Sequence, residues 1–296
     1  MNLESFKTSK ESLVPLLALN NKSNKNIIIF PTDKEAIEFS TDFSNLNKNI
    51  YHLPSWDTLS YDSFAPSLDI QGKRLEIAHL LLTTDTYNIA TSIKAISQRI
   101  YFEELEICKI SLNEEIDFDL LIENLIHLKY QRKDRVESKG SFAIRGGQLD
   151  VFPINYDLPL RVIFDGDLVN EIKTFDTISQ RSISEKNNIL VVPATELFQI
   201  QQSDILNLSS NKKENLDDYE LFQYSQNLDV EKCLLDLTNN VAIHIVDKNI
   251  VDNQLKEIID IEKDTFENLK QYFSLEIRNF KSRYKDISKF FGEYDI

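Results

Sequence analysis

The sequence predicts an α/β protein in which one domain, formed from two chain segments, is interrupted by a small inserted α+β domain. Three observations carry that prediction. Short continuous apolar runs alternate with stretches of helical period over residues 1–104. Between about 140 and 185 the hydropathy period drops to two. Beyond 195 the helical period returns with one further apolar run. The expected boundaries are 1–106, 107–195 and 196–296, the first and third segments sharing a sheet.

Taken in order, KESLVPLLAL at 10–19 has a helical pattern despite Pro15, and NIIIF at 26–30 reads as a strand buried on both faces. Thr32 or Asp33 is placed to cap the helix DKEAIEFSTDF, whose buried stripe is expected at Ala36, Ile37, Phe39 and Ser40. Residues 49–53 predict a second strand, 69–83 a helix and 87–90 a third strand, after which Ser92 can cap SIKAISQRI. DFDLLIENLIHLK at 117–129 predicts an amphipathic helix packed through Leu120, Leu121, Leu125 and Leu128. Alternation then places Phe142 and Ile144, Leu149 and Val151, and Leu160, Val162 and Phe164 on one face of short strands. Gly146-Gly147, Pro153–Pro159 and Gly166-Asp167 separate these strands, which predicts an antiparallel meander. Residues 211–218 read as a polar loop or helix start, and VAIHIV at 241–246 as a strand between helices near 217–237 and 250–272. One strand and its helices make a poor core alone, so they are expected to complete the first sheet.

Composition narrows the function. The 296 residues carry 33 basic and 48 acidic side chains, a net charge of −15, which repels a nucleic-acid backbone unless cations cluster. Only residues 131–186 carry as many basic as acidic residues. No apolar run is long enough for a membrane span, and MNLESFKTSK lacks the apolar core of a signal peptide. Cys108 and Cys233 are too far apart for a zinc knuckle and fit a reducing, cytoplasmic setting. His52, His79, His127 and His244 are dispersed, so no metal site is expected. The six glycines form neither a G-x-G-x-x-G fingerprint nor a P-loop, because Gly72-Lys73 is preceded by Ser67 and followed by Arg74 at the positions that matter. No G-x-S-x-G elbow or other catalytic constellation is present, and no cofactor is expected.

Two places stand out. SWDTLSYDSFAPS at 55–67 gathers Trp56, Tyr61 and Phe64 in one loop, and that aromatic area must bury itself in its own domain or on a partner. Arg145 and Arg161 sit on short strands, on the face opposite the apolar alternation, and Arg181 lies just beyond another strand. Guanidiniums on one sheet face form a fixed donor patch. The plain alternative is salt bridging to Asp150, Asp165 or Asp167.

These stretches resemble a known family. LPSWDTLSYDSFAPSLDIQGKRL (53–75), IKAISQRI (93–100), GSFAIRGGQLDVFP (140–153), LPLRVIFDGDLVNEIKTFDTISQRS (158–182) and ILVVPATELF (189–198) are similar, in order and spacing, to the N-terminal UvrB-like module of bacterial transcription-repair coupling factors (Mfd). Ser60 stands where the family usually has proline. The resemblance implies a degenerate nucleotide fold in two segments whose inserted domain binds UvrA, the damage-recognising ATPase of nucleotide-excision repair. It implies that Arg145 and Arg161 contact that partner, and that Asp165 stands where an aromatic contact is usual and could instead pair with Arg161. UvrB itself has a P-loop and a long aromatic DNA hairpin, and neither fits the spacing here. In the family, an RNA polymerase-binding domain and an ATP- and magnesium-dependent DNA translocase follow, and the UvrA-binding surface is masked until a stalled polymerase is engaged. Those motifs do not follow before Ile296, so the sequence reads as a fragment or a truncated product, non-catalytic and constitutively able to bind UvrA. Two rival readings are a nucleotide-binding hydrolase with an atypical phosphate site and UvrB-like damaged-DNA binding. The glycine pattern argues against the first; net charge and the missing hairpin argue against the second.

Overall fold

The computed structural model describes residues 24–45, 49–206, 218–225, 228–270 and 280–287. The expected helix at 10–19 and the polar stretch 211–217 lie outside them. The fold is α/β, and the chain divides into two compact units. One comprises Met1–Pro66, Ile77–Tyr101 and Ile200–Ile296, the other Ser67–Glu76 and Phe102–Gln199.

The first unit is built on a parallel sheet of β1 (Lys25–Phe30), β2 (Tyr51–Leu53), β3 (Tyr87–Ser92) and β12 (Ala242–Ile245), in the order β12-β1-β3-β2. The run at 241–246 therefore joins β1, with Ile27 beside Ile243. Residues 27–30 of β1 and all of β12 are buried, which is why these segments read as short apolar runs. Helix α1 (Asp33–Asn45) packs Ala36, Phe39 and Phe43 with Ile28, Phe30, Ala90 and Val246. Ile37 is 48% exposed, contrary to the expected stripe: it is one residue, about 100°, off the i, i+3, i+7 line that Ala36, Phe39 and Phe43 define. Thr32 caps this helix, its Oγ1 accepting from the Glu35 N–H at 3.3 Å while donating to Glu35 Oε2 at 2.8 Å.

Helix α2 (Leu68–Thr83) precedes β3, and Ser92 caps α3 (Ile93–Ser97), accepting from the Ala95 N–H at 3.0 Å. That helix is shorter than the pattern predicts because residues 98–100 are drawn into extended pairing. Gln98 bridges Tyr284, Arg99 bridges Cys233, and the Ile100 N–H donates to the Lys232 carbonyl at 2.9 Å. The same pairing keeps residues 230–233 out of a helix. After the short helix α5 (Gln202–Leu206), the predicted helix at 217–237 resolves into α6 (Asp218–Ser225) and a 3-10 turn at Leu234–Leu237. Helix α7 (Lys248–Leu269) buries Val251, Leu255, Glu262 and Phe266.

The second unit carries the meander. Six strands, β5 (Gln131–Arg132), β6 (Ser141–Arg145), β7 (Gln148–Phe152), β8 (Leu160–Asp165), β9 (Leu168–Phe175) and β10 (Ser182–Glu185), pair in the order β10-β9-β8-β7-β6-β5. All pairs are antiparallel except β5 with β6. A two-stranded pair, β4 (Cys108–Ser111) with β11 (Asn188–Val191), and helix α4 (Phe118–His127) complete it. Asp117 caps α4, and Leu121, Leu125 and Leu128 are buried. Leu120, expected on the packed side, is 53% exposed because the buried line runs 121, 125, 128. The apolar face of the large sheet buries Phe142, Leu149, Val151, Leu160, Val162 and Ile172.

Residues 67–76, which include the first half of α2, belong to this unit through close packing. A Cβ on Gly72 would lie 2.5 Å from the Ile154 carbonyl oxygen, so only glycine lets the helix backbone approach the chain there. Arg74 and Glu196 are both buried and bond at 2.9 Å, while Gln71 Oε1 accepts from Thr195 Oγ1 and the Glu196 N–H, each at 3.0 Å.

Candidate protein-binding face

The second face of the large sheet holds the polar residues of the alternation. Strand register sets out two cross-strand rows. Ala143, Asp150, Arg161 and Lys173 are successive partners in one row; Arg145, Gln148, Ile163 and Glu171 form the next. Arg145 and Arg161 thus share a face, one row apart, as the alternation implies.

Their environments differ. The Arg161 side chain is only 15% exposed and grips Asp150 through both prongs, Nε to Oδ1 at 2.7 Å and Nη2 to Oδ2 at 2.8 Å. Its third nitrogen, Nη1, donates to the Gln180 carbonyl at 3.2 Å, and its guanidinium stacks 4.5 Å from the Phe175 ring centroid. The hydrogen bond to Asp150 pushes the guanidinium pKa above its ordinary value. Asp150 is buried and also accepts from Gln148 Nε2 at 3.0 Å. Arg145 by contrast is exposed, tethered by one donation from Nη2 to the Asp134 carbonyl at 3.2 Å.

This face is not solvated throughout. At one end Val136, Ala143, Phe152 and Phe175 form a small second core, over which residues 133–139 fold. Beside it the loop 176–181 is densely tied. Asp176 Oδ1 accepts from the Ser179 N–H and Oγ, both at 2.7 Å, and these bonds hold its carboxyl below the usual range. The Gln180 N–H donates to the Asp176 carbonyl at 2.8 Å, and Arg135 Nη2 donates to the carbonyls of Thr177 at 2.7 Å and Ile178 at 2.9 Å. Arg181, exposed, closes this loop through its carbonyl, which accepts from the Asp176 N–H at 3.0 Å.

Asp165 does not pair with Arg161. It sits exposed at the end of β8, opposite Leu168, and the carboxylate that Arg161 engages is Asp150, its direct cross-strand neighbour. The aromatic loop of the first unit is largely interior. Trp56 is buried edge-on to Phe222 at 5.3 Å, with the Arg283 guanidinium 5.3 Å from its ring, and Tyr61 packs 5.9 Å from Phe266. Of the three aromatic residues only Phe64, 76% exposed, projects. Asp150 is one of the three carboxylates the sequence offers as salt-bridge partners, and Arg161 takes it, whereas Phe175, Gln180 and Arg135 enter the site without having been singled out by the sequence. Hairpin register selects Asp150 from those three carboxylates, since it fixes that residue opposite Arg161; the loop contacts of Gln180 and Arg135 leave no sequence signal.

Residues 108–197, the strands of this sheet among them, match the family model of the UvrB interaction domain. The transcription-repair-coupling factor of Mycobacterium tuberculosis is 30% identical over 169 residues, which is 54% of this chain and 14% of that protein. The chain is similar to the transcription-repair-coupling factors. That of Escherichia coli is 29% identical over 174 residues, 57% of this chain and 15% of the relative. The UvrABC system protein B of Thermosipho africanus is 21% identical over 236 residues, 73% of this chain and 36% of that protein. The resemblance that the sequence motifs carry is thereby borne out. The chain spans about a seventh of the length of the coupling factors it matches. No described helix is long and apolar enough to cross a membrane.

Proposed function

We propose that this chain acts in transcription-coupled nucleotide-excision repair as a non-catalytic, cytoplasmic recruitment module that binds UvrA through the polar face of the six-stranded sheet. The carrying observation is the coincidence of the UvrB interaction domain match with a sheet whose second face carries Arg145 and is bordered by a densely tied loop that ends in the exposed Arg181. Arg145 is the contact donor in this reading. Arg161, with its prongs on Asp150 and its third nitrogen on the Gln180 carbonyl, is a positioning residue that braces the neighbouring loop. RNA polymerase and DNA are engaged, in this proposal, by regions of the family outside the residues in this chain.

The module is also proposed to work without nucleotide. Anionic ligands of parallel α/β sheets bind beyond the carboxyl ends of the strands, at a helix N-terminus. Here that place, between β1 and α1, holds the chain's own carboxylate. Asp33 Oδ2 accepts from Ser55 Oγ at 2.6 Å, and Oδ1 accepts from Ser92 Oγ at 2.7 Å. A fixed negative charge there repels a phosphate.

Calorimetry with purified UvrA tests the reading. The chain is expected to bind, and Arg145→Glu to weaken binding at least about tenfold; unaltered affinity in that variant would remove the face from consideration. Millimolar ATP with magnesium is expected to leave the melting temperature unchanged, and a clear upward shift would defeat the nucleotide-free proposal.

A further inference from the structure

We infer that the apolar anchor of this face is Ile178, held at the tip of the loop 176–181, and that it inserts into an apolar socket on UvrA with a carboxylate beside it. The inference rests on the UvrA reading above and adds the residue that supplies the desolvated contact. Binding faces derive most of their affinity from a few apolar or arginine anchors, and the position from which the resemblance draws such an anchor carries Asp165 here. Among the described large hydrophobic residues, Ile178 is the most exposed, at 86%.

An exposed isoleucine alone means little. What distinguishes Ile178 is the rigidity of its mount. Its own carbonyl and that of Thr177 accept from Arg135, the Asp176 carboxylate binds Ser179 twice, and Gln180 Nε2 donates to the Thr177 carbonyl at 2.8 Å. Gln180 adopts φ 60°, and its carbonyl is bound by Arg161. The loop is thus ordered before any partner arrives, so little conformational entropy remains to be lost on docking. Ile183, 57% exposed at the β-bulge between Ser182 and Ser184, extends the apolar area along the edge strand. Arg135 is paired with Glu137 at 3.5 Å, so the charge this loop offers a partner is that of the exposed Arg181 at its end, which calls for a carboxylate beside the socket.

The test measures UvrA affinity by calorimetry for the full chain and three variants, with circular dichroism confirming each fold. Ile178→Asp is expected to weaken binding at least about tenfold, Ile178→Leu to stay within about threefold, and Arg145→Glu to report on the face as a whole. Weak binding by Arg145→Glu with unchanged binding by Ile178→Asp would overturn the anchor while leaving the UvrA reading intact. Failure of the unmodified chain to bind UvrA would overturn both.

Discussion

At the residue scale, the two arginines that alternation sets side by side have separable roles. Removing Arg161 strands a buried carboxylate that has lost its bidentate partner, and that cost exceeds the net worth of the pair. Arg161→Ala is therefore expected to lower unfolding free energy by about 2–4 kcal/mol in urea titration, against a change within about 0.5 kcal/mol for Arg145→Ala. Equal effects would show that Asp150 is not held as the geometry has it. The cysteines make a second residue-scale case. Burial pushes the Cys108 thiol up to about 11 and Cys233 up to about 12. Raised values keep both protonated at neutral pH, and the thiolate is the reactive form. Native protein at pH 8 is expected to leave a disulfide reagent such as DTNB unconsumed, and to release two equivalents once unfolded in guanidinium, one from each cysteine.

At the element scale, α2 shows how a helix can depend on a missing side chain. Alanine in place of glycine within a helix ordinarily gains about 1 kcal/mol. At position 72 the added methyl would meet the Ile154 carbonyl at 2.5 Å, a backbone atom that cannot rotate away. Gly72→Ala should therefore destabilise, by about 1–3 kcal/mol in urea unfolding; a gain in stability would mean that the helix can slide. Elements of this kind were legible in outline. The strands at 26–30 and 241–246 announced themselves because both faces are buried, and the α4 cap at Asp117 sits where the pattern begins. The buried lines of α1 and α4 were misplaced by a single residue at Ile37 and Leu120. Each apolar run is wider than the face it buries, and only the packed neighbour selects which members turn inward.

At the scale of the whole molecule, the second unit is not a contiguous stretch. Residues 67–76 supply Gln71, Gly72 and Arg74, and the Arg74–Glu196 pair is buried on both sides. A fragment of residues 102–199 expressed alone is expected to melt below the corresponding transition of the full chain and to bind the dye ANS, because it lacks those partners and exposes what they cover. Identical melting would show that residues 67–76 contribute nothing to that unit's stability. The net charge of −15 acts at this scale too, so duplex DNA should bind weakly at low salt and not at all near physiological salt in a gel shift.

The amino-acid sequence by itself determined the α/β class, the meander, the absence of a glycine-rich phosphate loop and the family resemblance. All of these follow from local period and from residue types at fixed spacing. Tertiary structure alone decided that Arg161 clamps Asp150 rather than reaching outward, that Trp56 and Tyr61 face their own core, and that Asp33 sits between two serine hydroxyls beyond the carboxyl end of β1. Which partner a charged side chain takes depends on strand register and loop closure, and these bring together groups that are distant in sequence.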